Sequence, residues 1–144
     1  MRTLEIRRRR AEEANRVIAA IASTGRRFFY NAKDDRLARL EVDAVGRVWL
    51  IDEAVGARVD INQPLRWRGF SHGSTLKGIV AALRRYVVAG ELVHPGYFGP
   101  WASMGPDADL WGYGPVAMAA VRAAVLESAA VSKPAAVAVK GGSR

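Results

Sequence analysis

Asp43-Ala44-Val45-Gly46 returns ten residues later as Glu53-Ala54-Val55-Gly56. A glycine late in a short polar loop supplies the positive φ that closes a hairpin and sets the register of its strands. Two such loops in succession dictate consecutive antiparallel strands, and their period is too short for a solenoid. With the polar turn Ala32-Lys33-Asp34-Asp35 before them, the sequence predicts a four-stranded meander over residues 27–31, 37–42, 47–52 and 57–61. Phe28, Phe29 and Tyr30 are strong strand formers, and Ala38, Leu40 and Val42 fall on one face. Charged residues alternate with apolar ones along these strands, as one wet and one buried face require.

Helical periodicity brackets the meander. Ala14, Val17, Ile18 and Ile21 make one apolar face of a helix over residues 4–24, stopped by Gly25. Ser74 is a good N-cap for a second helix, with Leu76, Ile79, Val80, Leu83 and Val87 as its buried stripe and Gly90 at its end. Pro115 suits the first position of a third helix, over residues 115–130, with an apolar face mostly of Ala and Val. Residues 62–73 read as a loop, and residues 91–114 as a second one, rich in Gly, Pro and aromatic rings. Four consecutive arginines, Arg7 to Arg10, circle the first helix, so that turn is expected to project past the core or fray. The expected fold is α+β: N-terminal helix, four-stranded antiparallel β-meander, helix, aromatic Gly/Pro-rich loop and C-terminal helix in two-layer packing. A single domain would span residues 1–131, with a flexible tail over 132–144.

At 144 residues, one domain buries roughly 70% of its unfolded surface and needs no staple. The chain has no cysteine, which excludes disulfides, thiolate metal sites and cysteine nucleophiles. No apolar run approaches the ~18 residues a membrane span needs. Ala11-Glu12-Glu13 follow the arginines where a signal peptide would have its apolar segment. A cytoplasmic protein with no membrane partner is therefore expected.

The formal charge is +8, from 22 Lys and Arg against 14 Asp and Glu, and 18 of the 22 cations are arginine. Arginine forks match phosphate and carboxylate geometry, so a polyanionic partner is favoured. A high-GC coding sequence would also raise the arginine content without any such partner. Between Asp60 and Glu91 there is no acidic residue. Arg66, Arg68, Lys77, Arg84 and Arg85 stand there, interleaved with Trp67, Phe70, His72 and Tyr86, around a helix N-terminus carrying Ser74 and Thr75. Cations to hold phosphates and Trp67 to stack on a base are what a nucleic-acid site uses. Strand-like alternation with Trp67 in the core and Arg66 and Arg68 in solvent fits the same residues. Arg7, Arg8, Arg9 and Arg10 form a second basic feature, either a phosphate clamp or a solubilising terminus. Tyr97, Phe98 and Trp101 form a third, either the lid of a small core or an exposed protein-binding spot.

Chemistry is sparse. Gly69-Phe70-Ser71-His72-Gly73 fits the G-x-S-x-G pattern of a serine hydrolase elbow, with His94 as the only later histidine. That elbow needs a preceding strand and a parallel sheet, and the meander supplies neither. Two histidines without cysteine make a poor metal set. Glu12-Glu13, Asp34-Asp35 and Asp52-Glu53 stand in solvated helix or turn contexts. No cofactor and no enzymatic activity are expected.

The order Phe28-Phe29-Tyr30, Arg47-Val48-Trp49-Leu50-Ile51-Asp52, residues 66–76 and Tyr97-Phe98-Gly99-Pro100-Trp101 resembles a group of small proteins of phages and mobile elements. The resemblance covers about half the chain and carries over no site residue. It implies an accessory protein that contacts nucleic acid (DNA or RNA). The alternative is an inhibitor of a host protein or defence complex, anti-CRISPR-like; a small serine hydrolase is a minor alternative. An edge strand of the meander would also allow a homodimer.

Overall fold

The computed structural model describes residues 2–24, 27–68, 72–99, 111 and 113–133. The elements run α1 (Thr3–Ala22), β1 (Tyr30–Asn31), β2 (Arg36–Leu37), β3 (Arg39–Val42), β4 (Val48–Ile51), β5 (Arg58–Val59), α2 (Pro64–Arg68), α3 (Gly73–Ala89), a 3-10 turn (Pro95–Phe98) and α4 (Pro115–Val125). The α+β order of helix, antiparallel strands and helices is as the residue pattern predicts. The apolar stripe of α1, Ala11, Ala14, Val17, Ile18 and Ile21, is buried where the helix lies against β3, α3 and α4. The inward residues Leu40, Val42, Val48 and Leu50 complete the core with Leu76, Ile79, Val80, Leu83 and Val87 of α3 and Met118, Val121 and Val125 of α4.

The strands form two sheets where the sequence predicts one meander of four. β1 pairs with β2 alone, and β3, β4 and β5 form a three-stranded antiparallel sheet in that order. Phe29 is the cause. Its backbone is left-handed, with φ 68°, and its ring is 1% exposed. That conformation costs a non-glycine residue about 1–2 kcal/mol, which burial of a phenyl ring, worth about 1.5–3 kcal/mol, offsets. The chain thus turns at residues 27–29, and the first strand begins only at Tyr30. Ala38 then bonds back to the Phe29 carbonyl at 2.8 Å, which separates β2 from β3.

The two glycine turns close as predicted, Gly46 at φ 92° and Gly56 at φ 75°, but their acids are not equivalent. In the first, Asp43 Oδ1 accepts the N–H groups of Val45 and Arg47, and Oδ2 accepts the Trp49 indole N–H at 3.0 Å. In the second, Asp52 takes that part, accepting from Val55, Gly56 and Ala57, and leaves Glu53 free for another bond. The Trp49 indole, with the backbone donors of Arg47 and Val45, holds Asp43 below the ordinary carboxylate range, against the upward push of burial. Burial also pushes Asp52 up, and its three backbone donors together with Arg66 outweigh that.

The C-terminal segment wraps α1. Trp111 is buried, and the Tyr113 hydroxyl donates to the Ile21 carbonyl at 2.6 Å. The last helix ends at Val125, short of the predicted residue 130, because the next turn bonds elsewhere. The Ser128 hydroxyl donates to the Glu13 carbonyl at 2.9 Å, and the Ala129 N–H to the Glu13 carboxylate at 2.9 Å. Val131 forms a parallel bridge with Val93. The expected tail boundary moves as well: the Ser132 N–H donates to the Val93 carbonyl at 2.9 Å, and the Lys133 ammonium lies on the carbonyls of Leu126 and Ser128. The rest of the expected tail, residues 134–144, lies outside the described residues.

One side chain ties the first helix to the sheet edge. The Asn15 amide donates to the Leu40 carbonyl at 3.0 Å, and the Leu40 N–H donates to Asn15 Oδ1 at 2.6 Å. Asn15→Ala should cost about 1–3 kcal/mol, since it strands a part-buried backbone pair; Asn15→Asp, which keeps only the acceptor, should also destabilise, as read by urea unfolding. The Asp43 bonds make a prediction of their own. Because its folded pKa is depressed, the stabilisation is present above the unfolded value of about 3.9 and is lost as pH falls through the folded pKa. The Tm gap between the wild type and Asp43→Asn should be full at neutral pH and shrink below about pH 4.

Candidate nucleic-acid interface

The acid-free stretch after Asp60 divides into a buried part and an exposed part. Residues 62–73, expected as loop, contain the helix α2. The Asp60 and Gln63 carbonyls accept the N–H groups of Gln63 and Arg66, the turn that leads into it. A helix winds residues 66–68 around an axis, so Trp67 turns inward and Arg68 outward. Trp67 is buried and its indole donates to the Ile61 carbonyl at 2.8 Å. Its ring also meets Phe29 edge-on, with centroids 6.4 Å apart. The expectation that Trp67 stacks on a base is therefore corrected: the ring belongs to the core.

Arg66 is corrected for a different reason. Its two terminal nitrogens donate to the Glu53 carboxylate at 2.8 and 3.0 Å, fork to fork. The two side chains are 7% and 13% exposed, and the guanidinium lies 5.0 Å from the Trp67 ring and 5.9 Å from that of Phe29. A phosphate would have to displace a carboxylate from a largely dry site. Arg68, by contrast, is exposed, and no ion pair or hydrogen bond holds it among the described residues.

Gly73 joins the two helices. A Cβ built there would stand 2.3 Å from the Trp67 carbonyl oxygen, so only glycine lets α3 start so close to α2. This packing accounts for the last glycine of the G-x-S-x-G pattern. A helix, α2, precedes the pattern where a nucleophile elbow needs a strand. Ser71 lies outside the described residues. His94 Nδ1 accepts the Gly96 N–H at 2.8 Å, capping the 3-10 turn. Among the described residues, no group of three or more His, Asp or Glu could hold a metal ion.

Along α3, the buried stripe fixes which residues face out. Ser74, Arg84 and Arg85 are exposed, and Thr75 and Lys77 are half-exposed. Lys77, Ala81, Arg84 and Val88 follow the i, i+4, i+7, i+11 spacing of a single helix face. No acid stands on α3. Arg85 pairs loosely with Glu91 at 3.4 Å, both well exposed, while Lys77 and Arg84 have no partner among the described residues. Lys77 and Arg84 thus share one surface with Ser74 and Arg85 on its flank, and the Trp67 carbonyl beside Gly73 sets the backbone at the end of α2 next to the start of α3.

The four N-terminal arginines do not act together. The helix is continuous from Thr3, so the expected fraying or projection is corrected. Arg7 and Arg10 precede Ala14 by seven and four residues and so extend its buried stripe. The Arg7 guanidinium donates to the Gly46 carbonyl at 2.8 Å, on the turn between β3 and β4. Arg10 donates to the Val87 carbonyl at 3.3 Å and lies against Gly90, the left-handed C-cap of α3. A cation there also suits the negative end of the helix dipole. Arg8 and Arg9 are exposed. Sequence reasoning missed the roles of Arg7, Arg10 and Glu53. Their spacing of seven and four residues from Ala14 was the available signal for the first two, and Glu53 carried none.

The aromatic loop is split as well. Phe98 is buried, which fits the core-lid alternative and removes this ring from an exposed protein-binding spot. Tyr97 is half-buried beside Gly78. It lines a groove with Arg85, Leu92 and His94. Trp101 lies outside the described residues. None of the described helices is long and apolar enough to cross a membrane.

The described residues define a small α+β protein with a basic outer helix face. The chain belongs to the YoqU family, whose model matches residues 5–132, and that family is phage-like. No curated protein and no solved structure matches it.

Removing one partner of a dry ion pair leaves the other charge buried and typically costs about 3–5 kcal/mol. Arg66→Ala should destabilise on that scale in chemical unfolding, whereas Arg68→Ala should stay within about 0.5 kcal/mol of the wild type. Replacing both members, Arg66→Met with Glu53→Met, should recover much of the loss.

Proposed function

We propose that this protein is a non-enzymatic phage-type accessory protein that holds nucleic acid by its phosphates on the outer face of α3. The observation that carries this reading is the row of Lys77 and Arg84, flanked by Arg85, on a helix without an acid. A cation that no carboxylate engages keeps its full attraction for phosphate. Phosphate contacts release condensed counterions and supply most of the sequence-independent affinity. Arg68, at the end of α2, is a further exposed cation, and the Ser74 and Thr75 hydroxyls in the first turn of α3 add neutral donors. The charge of +8 raises the encounter rate with any polyanion. Arg8 and Arg9 supply further exposed cations on α1. Arg66, Arg7 and Arg10 are left out, because their guanidinium groups are engaged by the fold.

The alternative is an inhibitor that docks on a host protein or defence complex. It draws on the groove where exposed Leu92 and half-buried Tyr97 flank Arg85. A pull-down from host lysate with and without nuclease separates the two readings: partners that survive nuclease treatment would favour docking on protein.

The test of the main reading is fluorescence anisotropy with labelled nucleic acid over a series of salt concentrations. Lys77→Ala with Arg84→Ala should weaken binding for every sequence tried. It should also flatten the log–log salt slope by about 1.8 on duplex DNA, roughly 0.9 for each phosphate no longer neutralised. The Tm should not change, since neither side chain bonds to the fold. An unaltered affinity and slope would remove this face from consideration.

A further inference from the structure

We infer that the groove beside α3 is a subsite for one unpaired pyrimidine base, cytosine above all. The inference rests on the reading above and extends it from phosphates to a base. Ala82 and Arg85 each follow a residue of the basic face, Ala81 and Arg84, by one position. They therefore lie about 100° further round a helix of 3.6 residues per turn. There they meet residues 91–97, and the two segments enclose a groove of about 150 Å³. A cavity of that size holds one six-membered ring. A pyrimidine fits it, and the second ring of a purine would stand outside. Ala82 and Val93, both buried, supply apolar lining. Tyr97, half-buried beside Gly78, supplies an aromatic ring on which a base can stack.

The polar lining supplies partners for the edge of that base. Arg85 Nε lies 3.4 Å from Glu91 Oε1, with both side chains well exposed. The pair leaves the terminal guanidinium nitrogens and the second carboxylate oxygen unbonded to other described residues. His94 Nδ1 accepts the Gly96 N–H at 2.8 Å, which puts the proton of the neutral ring on Nε2. The groove thus offers guanidinium and imidazole donors beside a carboxylate acceptor. Cytosine answers both kinds: its N4 amino group donates to a carboxylate, while its N3 and O2 accept. Uracil and thymine carry a carbonyl oxygen in place of that amino group, and it would repel Glu91. In a paired base this edge is occupied, so the ligand is an unpaired base, and a single strand, a loop and an overhanging end share that chemistry. Arg85 borders both the groove and the basic face, so a nucleotide with its base in the groove can set its phosphate toward Arg84.

The test is a titration of the isotope-labelled protein with CMP, UMP, AMP and GMP, followed by amide NMR shifts. CMP should move the signals of Ala82 and of residues 92–97, and should bind about five-fold or more tighter than either purine nucleotide. Glu91→Ala should remove the preference for CMP over UMP. Tyr97→Leu, which keeps the apolar bulk against Gly78 but not the ring, should weaken both. In anisotropy, Tyr97→Leu should weaken a cytosine-rich single strand and a duplex with a cytosine overhang alike, and leave a blunt duplex unchanged. Equal shifts for all four nucleotides, or shifts confined to the signals of Lys77 and Arg84, would overturn the base subsite while leaving the phosphate-binding reading standing. So would strand binding that Tyr97→Leu does not alter. A groove that no nucleotide shifts, with a nuclease-resistant partner lost on Tyr97→Leu, would overturn the inference in favour of docking on protein. Absence of binding to every nucleotide and oligonucleotide would overturn both readings.

Discussion

The Asn15 carboxamide meets the Leu40 backbone twice, once as donor and once as acceptor, and so stands in for the neighbouring strand that β3 lacks. An edge strand with open N–H and C=O groups invites pairing with another chain. Here the first helix closes that edge, and the same helix then holds the rest of the molecule. Its next polar residues reach the remaining elements: Glu13 receives the turn after α4, Arg10 the end of α3, and Arg7 the turn between β3 and β4. The apolar stripe supplies the non-directional part of the packing, and these side chains give it register.

Apart from the arginines paired with exposed acids, such as Arg39, Arg47 and Arg58, the basic composition is two populations with different work. One group of arginines satisfies backbone carbonyls and one buried carboxylate inside the fold. Arg66 with Glu53 is the clearest case, a forked pair under aromatic rings that links the second hairpin turn to α2. The other group stands in solvent on α3, at the end of α2 and on the outer side of α1. Only this second group has charge to spare for a partner, so a net charge counted from the sequence overstates what a polyanion would meet.

The helices were legible because their stripes repeat over several turns, and α1, α3 and α4 begin within a residue or two of the predicted positions. The antiparallel order was legible from the glycine turns. The break between β2 and β3 was not, because it depends on Phe29 accepting a left-handed backbone to place its ring in the core. The similar turns Asp43 to Gly46 and Glu53 to Gly56 hid a difference of one residue in the acid that closes them. Of the candidate site, Arg68, Lys77, Arg84 and Arg85 remain at the surface, while Trp67, Phe98 and Arg66 are taken into the fold.

By itself the sequence determined the three long helices, the antiparallel order of the strands and which face of each helix is apolar, because these follow from steric preferences and side-chain periods within about ten residues. The tertiary structure alone decided which charges are free. Glu53 and Arg66 stand thirteen residues apart, and Arg10 meets a carbonyl seventy-seven residues away. Whether a guanidinium faces water or a carbonyl depends on what the chain brings to it after folding, and no local pattern records that distance.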